Sequence, residues 1–153
     1  MSATIKFILG VVLLCLAGTG LAEKNTASVT LRHVHGQSAL VIVKTHVDVS
    51  GNPAPYGDIT SLDVFRKTDA GPYLSSWIDH NRLIYSKDPV FDVELAYDCT
   101  FDTSDPSGYE IYYLGVSSYP QFGTGSYGSV ESYVQLPESL RGIGSVHCTL
   151  IKP

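Results

Sequence analysis

Three cysteines are all that the 153 residues contain, lysine and arginine together number only ten, and beyond residue 22 no apolar run is long. Each shortage excludes a class of function. Past residue 22 nine Lys and Arg stand against fifteen Asp and Glu, a net charge of −6 with histidine neutral. Nucleic-acid binding rests on clustered cations that neutralise phosphates, so nucleic acid is not an expected partner. No later segment is apolar for the ~20 residues that a helical membrane span needs, and none is expected to span. The terminal SVHCTLIKP lacks the polar spacer and apolar end of a lipid-anchor signal. Asn25, Asn52 and Asn81 all lack a hydroxyl residue two places on, so N-glycosylation is not expected. There is no internal repeat.

The one strongly apolar stretch is FILGVVLLCLA, which follows Lys6 and leads to the small residues Gly20 and Ala22. Its eleven residues are too few to cross a bilayer. A cation, a short apolar core and small residues at the last and third-last positions predict a secretory signal peptide over 1–22, cleaved after Ala22. Residues 23–153 are then expected to form a single domain of a secreted, extracellular protein. Cys15 departs with the leader, which leaves Cys99 and Cys148 in an oxidising compartment. A disulfide between them is the economical expectation. A reactive thiol pair would want Cys-x-x-Cys or basic surroundings, whereas Asp98 beside Cys99 disfavours the thiolate.

Period-two alternation is clearest in VFDVELAYDCTFD, where Phe91, Val93, Leu95, Tyr97, Cys99 and Phe101 alternate with Asp92, Glu94, Ala96, Asp98, Thr100 and Asp102. That is a strand with one buried and one wet face. SALVIVKTHVDV repeats the pattern, with Leu40 and Ile42 suggesting that one end is covered on both sides. Weaker strands are predicted over 27–34, 62–66, 73–78, 82–86, 109–116, 130–136 and 145–151. Asp79, His80 and Asn81 read as a turn joining two of them. The only helix candidate is the short PESLRG. Nine strands separated by GNPAPYGD, DTSDPSG and FGTGSYG predict an all-β fold, an antiparallel β-sandwich with a small β-barrel as the alternative. Tyr97-x-Cys99 has the spacing of a tyrosine and cysteine in the immunoglobulin fold, although the other cysteine lies downstream and Trp77 precedes both. An immunoglobulin-like sandwich therefore stays among the options.

FGTGSYGSV carries Gly123, Gly125 and Gly128 at the spacing G-x-G-x-x-G. A dinucleotide loop of that form must open a helix and be followed by an acidic residue about 20 positions on. Here the strand-like SVESYVQLP follows, and the residues near 148 include no acid. The glycines therefore read as a hairpin loop, and no cofactor is expected. Tyrosine among Ser and Gly is the composition of binding loops, since it offers a large amphipathic contact with few rotors. Tyr119, Phe122 and Tyr127 are the candidate ligand-binding residues, with Tyr112 and Tyr133 as strand neighbours.

Other chemistries fit less well. His33-x-His35 could present two imidazoles on one face, but pairing Leu31 with Val43 would put His46 on the other face and roughly 20 Å away, so no metal site is expected. Asp92, Glu94 and Asp98, with Asp102 and Asp105 beyond them, match no calcium loop and read as a solvated face that discourages edge pairing. TGSYG is one glycine short of a nucleophile elbow. The expectation is a non-catalytic extracellular binding module facing a protein or glycan surface. The alternatives are a secreted hydrolase or metal-dependent enzyme using His33, His35 and a carboxylate, and a structural matrix or coat component.

Overall fold

Val90–Asp102, the segment with the strongest alternation, is the central strand of a sheet in the computed structural model of the protein, which describes residues 24–152. The leader read at 1–22 lies outside the described residues. Ten strands follow in chain order: β1 Thr26–His35, β2 Ser38–Asp48, β3 Tyr56–Thr68, β4 Gly71–Ser86, β5 Val90–Asp102, β6 Tyr109–Ile111, β7 Tyr113–Phe122, β8 Gly125–Ser126, β9 Val130–Gln135 and β10 Gly142–Lys152. The first sheet has the order β1-β2-β5-β10-β6, and the second β4-β3-β7-β8 with β9 also on β7. All pairs are antiparallel, and one of the two packed sheets curls into a half-barrel. The predicted antiparallel sandwich is the observed architecture.

The core forms because every central strand alternates. Val41, Val43, Leu95, Tyr97, Cys99 and Phe101 point inward from the first sheet and meet Leu62, Val64, Leu114 and Val116 from the second. PESLRG yields a single 3-10 turn, Glu138–Leu140, that drives Leu140 into this core. Of the two residues read as doubly covered, Ile42 is buried and Leu40 half-buried. Ala96, on the face read as wet, is buried opposite Ile42.

Three local readings change. The β1–β2 hairpin pairs Leu31 with Val41, and Val43 with Val29. A tight Gly36–Gln37 turn sets His35 against Ser38, which alone would bring Leu31 opposite Ile42 and onto the wrong face. The extra residue at a bulge between Arg32 and His35, with His33 at φ 53°, restores the apolar face. Second, Asp79, His80 and Asn81 make no turn: β4 runs unbroken through them, and the register slips beside them. Asn81 adopts φ 60°, and the bulge re-aims its neighbours. Asp79 receives the hydroxyl of Tyr97 at 2.6 Å from the facing sheet, while His80 stacks on Trp77 at 4.5 Å. Third, the strand read over 109–116 divides at Tyr112. Tyr109–Ile111 pairs with β10 and Tyr113–Phe122 with β3, so the chain changes sheets there.

Cys99 and Cys148 stand directly opposite each other on β5 and β10, with Cα atoms 4.1 Å apart, and are disulfide-bonded. The bond staples two neighbours in one sheet. An immunoglobulin domain bridges its two sheets and buries a tryptophan on that bridge. Here Trp77 lies on an outer face.

Candidate functional site

The two outer faces differ in kind. On the first sheet the outward row carries Ser28, Lys44, His46, Asp92, Glu94, Asp98 and Thr100, with His46 paired to Asp92 at 2.7 Å. Asp92, Glu94 and Asp98 are exposed, as read. Such a face needs no partner to be comfortable in water.

The outer face of the second sheet carries large aromatic and aliphatic side chains with a polar row between them. Register aligns its side chains in rows that cross the strands. One row runs Tyr119, Ile59, Leu83, and its neighbour places Tyr85 beside Gly57. A polar row follows, Glu131, Ser117 and Ser61, with Ser61 Oγ 3.2 Å from Nδ1 of His80. Next comes Tyr133, Gly115, Asp63 and Trp77, and then Tyr113, Phe65 and Leu74. Trp77 is 62% exposed and Tyr85 73%. Leu74, Leu83, Tyr119 and Tyr133 are exposed as well. Glycine matters at one position in this array. A Cβ on Gly115 would lie 2.5 Å from Phe65 and 2.8 Å from Tyr133, whose rings meet edge to face over the bare backbone with centroids 5.0 Å apart.

Two depressions open on this face. One, of about 230 Å³, lies among Pro55, Tyr56, Gly57, Ile59, Leu83 and Tyr85. The other, of about 80 Å³, is bounded by Asp63, Phe65, Gly115, Ser117, Glu131 and Tyr133. Asp63 is only 7% exposed, and its Oδ1 has no hydrogen-bond partner. Burial pushes its carboxyl up to about 6, against the smaller opposing influence of nearby His80. The Tyr133 hydroxyl donates to Glu131 at 2.8 Å, and burial followed by that carboxylate pushes it up to about 12.

The aromatic residues chosen from sequence divide between separate places. Tyr119 and Tyr133 lie on the aromatic face. Phe122 and Tyr127 pack on each other at 5.2 Å, and the Tyr127 hydroxyl accepts from Asn52 Nδ2 at 2.9 Å. Tyr112 sits near the opposite end of β7, with Lys67 and Arg141 over its ring. His33 and His35 are exposed at the β1–β2 hairpin, and His46 lies at the far end of that hairpin, opposite Thr26. Asp102 and Asp105 each accept a backbone N–H and a hydroxyl from a serine two residues on, which fixes the local turns. Among the described residues no three His, Cys, Asp or Glu gather as a metal cluster would. None of their helices is long and apolar enough to cross a membrane.

Sequence reading missed Trp77, Leu83, Tyr85 and Asp63. The signal was present in YLSSWID and RLIYS, where large apolar residues occupy both parities. Ile78 and Ile84 pack on the core, leaving Trp77, Leu83 and Tyr85 outside. Comparison with protein-family models, curated proteins and solved structures returned no match for this chain.

Proposed function

We propose that the protein is a secreted, non-catalytic binding module whose contact surface is the outer face of β3, β4, β7 and β9. The observation that carries this reading is the asymmetry of the sandwich: one outer face is charged and the other displays Trp77 and Tyr85 on regular strands. Exposed large apolar side chains interspersed with polar groups are the make-up of interaction sites, and Trp and Tyr supply much of the energy where partners meet. Tyr119 of the predicted loop belongs to this surface, whereas the Phe122–Tyr127 pair serves the packing of the loop. The apolar leader after Lys6 and the disulfide support secretion. The partner is a protein or glycan surface.

Partners captured from the native extracellular fluid test the reading. A Trp77→Ala/Tyr85→Ala variant is expected to bind them at least ~30-fold more weakly, the effect of losing ~2 kcal/mol when large aromatic contacts are truncated. Asp92→Asn/Glu94→Gln, on the charged face, is expected to bind nearly as wild type does. Equal capture by all three proteins, each folded by circular dichroism, would refute it.

A further inference from the structure

We propose that the small depression on the aromatic face is a receptor for an alkylammonium group, held between the Asp63 and Glu131 carboxylates and the rings of Phe65 and Tyr133. This names a ligand chemistry for the surface proposed above and rests on that reading. Asp63 Oδ1 is buried without a hydrogen-bond partner, a costly arrangement, although the Ile78 backbone N–H and nearby His80 act on the same carboxyl. Among the described residues no lysine or arginine forms an ion pair with Asp63 or Glu131. Arg66 lies over Tyr73, and Lys67 and Arg141 over Tyr112, so these cations are engaged elsewhere.

The walls suit the same guest. An ammonium is drawn to the electron-rich face of an aromatic ring, and more strongly where water is excluded. Register sets Asp63, Gly115 and Tyr133 side by side on three adjacent strands, and with no side chain at Gly115 the Phe65 and Tyr133 rings close over its backbone and form a wall of the depression. A cavity of about 80 Å³ suits a cationic head with a short stem and is too small for a sugar ring and its hydroxyls. The net charge of −5 would steer a cationic partner toward the protein. Two sources share this chemistry, a free alkylamine and a lysine side chain of a partner protein.

The probe is n-butylammonium chloride, titrated into the ¹⁵N-labelled protein at constant ionic strength, with sodium chloride as the control. Saturable amide shifts at Asp63, Gly115, Ser117 and Tyr133 are expected, and sodium should leave them unchanged. Affinity should fall at least ~tenfold in Asp63→Asn, the scale for removing one member of a desolvated charge pair, and fall also in the exposed Glu131→Gln. A lysine peptide compared with its Nε-acetyl form distinguishes the sources: discrimination between them assigns the pocket to a protein partner, and butylammonium binding without peptide binding assigns it to a free amine. If Asp63→Asn does not fold, Glu131→Gln carries the comparison. Absence of saturable shifts, or affinity unchanged in the folded variants, overturns the proposal. Loss of capture by Trp77→Ala/Tyr85→Ala would still stand in that event, because those residues lie outside the pocket.

Discussion

A Cys99→Ala/Cys148→Ala variant is expected to lose about 4 kcal/mol of unfolding free energy, the largest single effect anticipated for this fold. The bond closes a span of 49 residues, and in the chain-entropy view the unfolded chain gains most of what the native state forfeits. That span includes β6 through β9 and the crossing between sheets at Tyr112. Freeing it restores the entropy of several strands at once. The native contribution is smaller, since Phe101 and Tyr97 still flank the position and β5–β10 pairing persists without sulfur. Urea unfolding checks this, with an expected fall in midpoint and a loss in stability well above 2 kcal/mol. A loss below ~1 kcal/mol would mean that the unfolded chain is already constrained in another way.

Asp58 should show the second large effect. It is fully buried between the sheets, where Thr45 donates to its Oδ2 at 3.0 Å and Ser118 to its Oδ1 at 2.6 Å. Burial raises its pKa more than the two hydroxyls lower it. Asp58→Ala leaves two buried hydroxyls without their acceptor and opens a small void, at an expected cost of about 3 kcal/mol. Asp58→Asn keeps the shape and lets a hydroxyl accept in turn, so it should lie within ~1 kcal/mol of wild type at neutral pH. The pH dependence has a definite sign. Asp58 and Asp63 both hold protons more tightly when folded, so the stability they confer is full in acid and falls as pH rises from about 4; for Asp63 the fall continues through about 6. Asp58→Asn should flatten part of that decline, and Asp63→Asn the part nearer pH 6. Melting temperatures between pH 4.5 and 7.5 measure both, and a wild type that stabilises as pH rises across this window would contradict the assignment.

Much of this architecture is readable because alternation is a strong signal where one face is buried. The alternation bounds Val90–Asp102 to the residue, and the inward parity of Cys99 is legible, whereas its register directly opposite Cys148 emerges only from the pairing of β5 with β10. The bulges were not readable. His33 and Asn81 take left-handed backbone within strands: a local reading keeps His33 in a regular strand and puts Asn81 in a turn, because only pairing with β2 and β3 shows where the ladder bulges and where it continues. The aromatic face was hidden for a related reason. In β4 both parities carry large apolar residues, and deciding which one faces the core requires the partner strand. Nothing in the sequence marks Asp63 out; its unpartnered oxygen emerges only from its burial in the folded sheet.

Trp77 is the only tryptophan in the chain, so incorporation of 5-fluorotryptophan gives one ¹⁹F resonance on the proposed surface. Adding the captured partner to labelled protein tests most directly whether the aromatic face is where binding occurs. The resonance should shift or broaden in proportion to the bound fraction, and lose its accessibility to a soluble paramagnetic quencher. A resonance that stays sharp, unshifted and quencher-accessible while the complex forms would place the contact elsewhere on the molecule.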